Sequence, residues 1–392
     1  MDRFVPDCRV SVEGQALEAA KRASLTRVEI DLDVSLFSRC RITFNDPQFA
    51  LIDGKDFVSG TRVSVELGFT GKLSPVFDGE VVGLEPSFRR DLPPSLVVVC
   101  LDSLHRLALG EVTRSFNDVD LKEVVNRIAQ EHGLSSEAPS TTRQHMMQAN
   151  VSDAAFLMKL AKQRGQHLRI EGTKLLVDGP PKASQLELSP GSVLRKMSVK
   201  VSVNSQIHEV TVHGWDPKAK REIVGKATAE GATGEGARKY GAGTLSVAGH
   251  DSSPIDQASA DAMAKGRMRS LAERFITASA QVIGDPQIRP GAEVSCSKFG
   301  GEIDGVYRVE SARHVLSRHG YIVDFRAVQI GKQQEKAAKA GAAAAPVAEE
   351  RASEENAGAA QQAQVLKEAA QHGAPLVEEC PAAKGTVAQL AA

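Results

Sequence analysis

The chain has 392 residues, 42% of them hydrophobic and 25% charged, enough for two or three domains with cores of their own. Its 48 basic and 49 acidic side chains leave a formal charge of -1, which argues against a dedicated nucleic-acid binder, since such proteins carry a strong basic excess. No run approaches the ~20 apolar residues of a membrane span, the first residues lack the apolar stretch of a secretory signal, and five cysteines without a CxxC pair argue against a zinc site or a disulfide framework.

The cysteines are therefore expected to be reduced, buried and structural, in a protein synthesised in a cytoplasm. Residues 1–110 read as the first β-barrel domain. Val28, Ile30, Leu32 and Val34 alternate with Glu29, Asp31 and Asp33; Cys40, Ile42 and Phe44 repeat the pattern, as do Val63, Val65, Leu67 and Phe69. A period of two marks strands with one buried face. The run Leu96 to Leu101 is apolar throughout and predicts a strand buried on both faces.

Residues 111–182 read as a small α/β insert. Leu121, Val124, Val125, Ile128 and Ala129 have helical spacing, Asp120 with Glu123 forms a capping box, and Gly133 supplies the stop. A second helix is expected over 152–164, capped by Ser152, stapled by Val151 on Phe156, and striped by Phe156, Leu157, Leu160 and Ala161. A hairpin follows over 167–177 with Gly172 at its turn.

Residues 183–331 return to β as a second barrel domain. Val199, Val201 and Val203 alternate, then Val210 and Val212, and a glycine-rich stretch from Gly225 to Gly249 reads as a long flexible excursion. One long helix is expected from a Ser253 cap and Pro254 to about Phe275, with Ala258, Ala262, Gly266 and Ala272 as a small-residue face. Strands resume through Val294, Val306 to Val309, and Tyr321 to Phe325. Residues 332–392 form an Ala-rich extension without aromatics, either flexible or lying against the body or a partner.

The two β segments share an order of markers. Asp46-Pro47 recurs as Asp285-Pro286, Gly60 with Val63 and Val65 as Gly291 with Val294 and Cys296, and Asp78-Gly79 as Asp304-Gly305. Asp-Pro and Asp-Gly form turns and alternating valines line one strand face, so the order predicts a duplicated barrel.

Catalytic patterns are thin. Gly231 to Gly236 lacks the Gly-Lys-Ser/Thr end of a phosphate loop, and no Gly-x-Ser-x-Gly or His-Glu-x-x-His occurs. His208 and His213 are expected on opposite faces of a strand. Glu302 and Asp304 share a strand side, but the Asp-Gly turn explains Asp304 without catalysis. No catalytic, cofactor or metal site is expected.

Several motifs together carry a family resemblance. They are Glu131-His132-Gly133-Leu134, Ser152-Asp153-Ala154-Ala155-Phe156-Leu157, Val212-His213-Gly214-Trp215-Asp216-Pro217, Asp285-Pro286, Pro290-Gly291, Asp304-Gly305-Val306-Tyr307-Arg308-Val309, His314 and Gly320-Tyr321. Over roughly 1–331 the chain resembles the late control gene D proteins of contractile-tail phages and is similar to the hub portion of VgrG proteins of type VI secretion. The resemblance implies a mainly β fold, with two related β-barrels and an α/β insert between them. It implies a non-enzymatic baseplate hub: a homotrimeric ring around a central channel that adapts a sixfold tail tube to a threefold spike. Implied partners are a separate spike protein, a tail tube or tube-initiator protein, baseplate wedge proteins and the tape-measure protein, within a virion or a related contractile particle. Membrane insertion and specific nucleic-acid binding are not implied.

Under this resemblance Gly291, Gly305 and Gly320 serve turns, while Trp215, Tyr307 and Tyr321 pack the second barrel, Trp215 being alternatively an interface anchor. Asp216, Pro217, Asp304 and His314 complete the structural motif positions. The rival readings are a tip-associated peptidoglycan hydrolase and a carbohydrate-binding β module.

Overall fold

The computed structural model describes residues 5–34, 37–178, 185–216, 219–229, 235–248 and 256–331. The extension 332–392, Pro217, and the expected helix cap at Ser253 and Pro254 lie outside them.

The N-terminal segment supplies β1 (Pro6–Val12), β2 (Gln15–Ala16), a short α1 (Ala19–Ala23), β3 (Leu25–Asp33), β4 (Arg39–Asn45), β5 (Arg62–Phe69), β6 (Lys72–Arg89) and β7 (Leu92–Leu101). They pair in the order β3-β4-β7-β6-β5-β1-β2. The predicted alternation holds: Val28, Ile30, Leu32, Cys40, Ile42, Phe44, Val63, Val65 and Leu67 all point into the core. Val34 falls just beyond its strand. β7 differs from expectation. Leu96, Val98 and Cys100 are buried, but Val97, Val99 and Leu101 are only half-buried, because their face of the sheet is polar and carries the Arg41–Glu85 ion pair on the flanking strands.

The insert follows a 3-10 turn at Ser103–Ala108. It comprises β8 (Val112–Val119), α2 (Leu121–Glu131), β9 (Ser135–Glu137), β10 (Gln144–Val151), α3 (Asp153–Gln163), β11 (His167–Glu171) and β12 (Lys174–Asp178). Both helices start where the sequence places them. Asp120 accepts from the Glu123 N–H at 2.8 Å and Ser152 from that of Ala155 at 3.3 Å. The Glu123 carboxylate does not return to complete the capping box; it binds Arg143. Val151 is exposed and paired with Val112 at the end of β10. Gly172 turns the β11–β12 hairpin at φ +60°. The insert has its own core, built from Leu121, Val124, Val125, Ile128, Phe156, Leu157 and Leu160.

The C-terminal segment supplies β13 (Gln185–Leu188), β14 (Leu194–Val201), β15 (Glu209–Asp216), β16 (Arg221–Thr228), α4 (Glu235–Tyr240), β17 (Thr244–Ala248), α5 (Gln257–Ala272), β18 (Ile276–Ile283), β19 (Glu293–Cys296), β20 (Gly305–Ser317) and β21 (Gly320–Gly331). The glycine-rich stretch is thus not one loop. Gly225 lies inside β16, where an added Cβ would fall 2.2 Å from the Ala260 carbonyl carbon of α5. That glycine is needed for close approach of helix and sheet, not for a turn. Helix α5 begins one turn later than expected, capped by Asp256 on the Ser259 N–H at 2.6 Å. Its buried stripe is Ala260, Ala264, Gly266, Met268 and Ala272, while Ala258 and Ala262 are exposed. Ala264, Met268 and Ala272 pack with Val210 and Val212 in a third small core, while Gly266 lies against Gly165 of the insert.

The marker echo is a repeat of strand order. In the first segment the order is β3-β4-β7-β6-β5, and in the second it is β14-β18-β21-β20-β19, with every one of these neighbours antiparallel. The hydrogen bonds repeat as well. Gly60 and Gly291 both sit at φ +87°. Gly60 donates to the Val81 carbonyl at 2.8 Å and Gly291 to that of Val309 at 2.7 Å, while Val81 and Val309 each donate back at 2.9 Å, to Thr61 and Ala292. Asp46 and Asp285 each accept at 3.2 Å from the N–H three residues on, at Phe49 and Ile288. The two segments join edge to edge, β3 pairing antiparallel with β20 over Arg27–Asp33 and Ser311–Ser317. One sheet and one large core therefore run through both.

Candidate functional site

Seven of the motif positions lie on or beside β19, β20 and β21: Gly291 before β19, Asp304, Gly305 and Tyr307 at the start of β20, and His314, Gly320 and Tyr321 towards the β20–β21 hairpin. His314 is fully buried, with Nε2 at 2.9 Å from the Ile288 carbonyl and Nδ1 at 2.7 Å from the Tyr321 hydroxyl. A carbonyl only accepts, so Nε2 carries the proton and Nδ1 accepts from Tyr321. Burial pushes the imidazole pKa down to about 4, against a smaller upward pull from the Ile288 hydrogen bond. The ring is therefore neutral near pH 7. Burial likewise raises the Tyr321 hydroxyl. Gly284 makes room for this tyrosine, because a Cβ there would sit 2.1 Å from its ring. Sequence reasoning passed over Gly284 and Ile288, since neither belongs to a recognisable motif.

Tyr307 is buried and donates to the Ile303 carbonyl at 2.6 Å. Asp304 accepts from the Phe299 N–H at 2.8 Å, closing the turn that leads into β20. Glu302 lies in the same turn, so these two carboxylates are not on a strand. At Gly305 an added Cβ would meet the Gly331 carbonyl oxygen at 2.6 Å. Its counterpart Gly79 stands equally close to the Leu101 carbonyl oxygen, at 2.3 Å. Gly320 turns the β20–β21 hairpin at φ +113°. Asp304, Gly305, Tyr307 and Gly320 thus hold backbone together.

Trp215 is elsewhere. It lies on β15 opposite Glu222 and is 54% exposed, so it does not pack into the second β core as expected. Asp216 closes the following turn by accepting from the Ala219 N–H at 2.9 Å. His213 binds Glu222 at 2.6 Å near the surface.

The insert holds a polar cluster that the sequence did not disclose. Asp153, at the first position of α3, accepts from Arg114 at 2.6 Å, from Gln148 at 2.8 Å and from His132 at 2.8 Å. Burial alone would raise the Asp153 pKa, but the His132 and Gln148 hydrogen bonds and the Arg114 charge outweigh it, so the carboxyl lies below its ordinary range. Arg114 also binds Gln148 and Glu131 and lies over the Phe116 ring. With Asp153 on α3, its three partners come from β8, the end of α2 and β10, so the cluster ties the insert together. No nucleophile lies among its hydrogen-bond partners.

A concavity of about 680 Å³ lies on the outer face of the large sheet where its two segments meet. Its wall mixes apolar side chains, Leu32, Phe37 and Phe325 among them, with cross-strand polar pairs: Arg313 with Asp31, Arg39 with Asp31, and Gln281 with Asp324. Among the described residues, no group of three or more His, Cys, Asp or Glu could hold a metal ion, and no helix is long and apolar enough to cross a membrane. Cys8, Cys40, Cys100 and Cys296 are buried and free.

A family model described as the Alg8 N-terminal domain matches residues 4–318. No curated protein matches the chain. Among solved structures, a 43 kDa tail protein of prophage MuSo2 from Shewanella oneidensis superposes with a TM-score of 0.63 at 16% identity, over 83% of this chain and 98% of that one. A tail protein from Neisseria meningitidis MC58 gives 0.60 at 16% identity, over 83% and 97%. An E. coli component of the type VI secretion system gives 0.55 at 13% identity, over 82% and 76%. At these identities the likeness is one of fold: the mainly β fold expected of a hub-like tail protein is the fold this chain has.

Proposed function

The chain belongs to the Alg8 N-terminal domain family, and from its likeness in fold to phage tail proteins we propose that it is a structural baseplate hub of a contractile injection machine. In this reading three copies form a ring around a central channel and adapt a sixfold tail tube to a threefold spike. The observation that carries it is the repeat of strand order within one chain. Two similar sheets per chain, in three chains, present six similar surfaces, while the insert and the small β15–β17 sheet occur once per chain and keep the assembly threefold. The partners are a separate spike protein, the tube or its initiator, wedge proteins and the tape-measure protein. The motif residues support this role by fixing backbone, which suits a part that bears load and performs no turnover.

Electron microscopy of the purified chain, alone and mixed with a candidate spike protein, tests the reading. Rings of three chains with a near-sixfold inner outline are expected. A species that stays monomeric with and without the spike would sink it.

A further inference from the structure

Each repeat has one strand whose outer edge faces away from its own segment. In the first repeat it is β3, and its edge is taken by β20 of the second. In the second repeat the counterpart of β3 is β14, which ends the sheet with its outer edge unpaired among the described residues. The counterpart of the β20 stretch that receives β3 is the latter part of β6, residues 82–89, which pairs only with β7. One seam is closed within the chain, and its equivalent is open on both sides.

The side chains at the two seams correspond. Superposing the repeats strand by strand places Val28, Ile30 and Leu32 on Met197, Val199 and Val201, and Ala312, His314 and Leu316 on Leu84, Pro86 and Phe88. All six residues of the closed seam are buried. At the open seam Leu84 is 40% exposed, Phe88 62% and Val201 48%, although they occupy the same core-facing positions. The charges correspond with reversed sign. Arg313 faces Asp31 across the closed seam. Their counterparts are Glu85 and Lys200.

We infer that residues 82–89 of β6 in one copy pair antiparallel with β14 of a second copy, continuing the sheet from chain to chain in the register of the internal β3–β20 seam. This deepens the ring reading and rests on it. Leu84 then lies opposite Val201, Glu85 opposite Lys200, Pro86 opposite Val199 and Phe88 opposite Met197. Pro86 has no N–H to give, so that ladder carries one donor fewer than the internal one. The exposed apolar residues become buried, and an open strand edge, a hazard for indiscriminate pairing, receives a specific occupant.

Oxidative cross-linking of the full-length chain carrying both Glu85→Cys and Lys200→Cys tests the register, since directly opposite residues lie within disulfide reach. Denaturing non-reducing gels should show bands at two and three chain masses, collapsing to one on reduction. Each single variant, and the out-of-register pair Glu85→Cys with Lys196→Cys, should stay at one chain mass. Peptide mapping should join position 85 to position 200. Joining of position 85 to Cys380 instead would give this edge to the chain's own C-terminal extension and overturn the inference. Absence of the bands in a sample whose native mass is that of three chains overturns the edge pairing and leaves the ring standing. Absence of the bands in a sample that is monomeric up to high concentration overturns both.

Discussion

His314 and Tyr321 face each other inside the protein, Nδ1 to hydroxyl oxygen at 2.7 Å, with the imidazole fully buried and the ring of the tyrosine nearly so. The pair bridges neighbouring strands, and the second imidazole nitrogen ties both to the loop carbonyl of Ile288.

Acid should unfold the body through this histidine. Its folded pKa of about 4 lies below the 6.5 of the free side chain. The unfolded state therefore binds the extra proton first, and the stability contribution, fully present above pH 6.5, is lost as the pH falls from there towards 4. The linked loss is on the order of 3 kcal/mol. Urea unfolding at pH 7 and pH 4.5 measures it. His314→Leu should be destabilised at pH 7 by about 1–3 kcal/mol through two stranded partners and should show a shallower acid slope. An unchanged slope in the variant would assign the acid sensitivity to other groups.

Gly225→Ala should destabilise by about 1–3 kcal/mol, the usual range for a forced overpacking. The added methyl group would lie within 2.2 Å of helix α5 backbone. Hydrogen exchange should localise the loosening to α5, β15 and β16. A neutral substitution there would mean that the helix does not rest on this sheet.

Asp153→Ala should cost on the order of 3 kcal/mol, because it takes one of the partners of the part-buried Arg114 and removes three hydrogen bonds at once. The native carboxyl lies below its ordinary pKa range, so its contribution persists above the free-carboxylate pKa and disappears as the pH falls through the folded value. Thermal unfolding of wild type and variant at pH 7 reads the difference. A variant with unchanged melting would show that the cluster only decorates the insert.

Purified full-length protein should release no product from cell-wall peptidoglycan. Asp304→Asn should alter stability by about 1 kcal/mol through the Phe299 hydrogen bond and leave the null activity unchanged. Turnover that Asp304→Asn or a Glu302→Gln change abolishes would revive the hydrolase reading.

Much of the large sheet was legible in the sequence because one of its faces is buried. Val28, Ile30 and Leu32 against Glu29 and Asp31 give a period of two that no helix would produce. The repeat was legible because its markers are backbone devices: a glycine at φ +87° can be replaced by few other residues. Other features left no local trace. The three partners of Asp153 come from β8, the end of α2 and β10, and polar residues that far apart in sequence carry no mutual spacing. Trp215 was read from the family motif as packing the second barrel, or alternatively as an interface anchor, and a motif position does not by itself fix burial, just as residue type constrains burial in one direction only. Gly225 was read as loop because close approach and chain reversal call for the same residue.

The seam between β3 and β20 also has a consequence in time. Glu29 and Arg313, joined across it, stand 284 residues apart. At typical rates of about 5–20 residues per second, the ribosome needs roughly 15–60 s to deliver the second partner after the first. Throughout that interval Val28, Ile30 and Leu32 have one side of their strand unclaimed. The N-terminal sheet must wait for nearly the last strand of the body, so the speed of translation and the presence of holding chaperones become determinants of the yield of native chain.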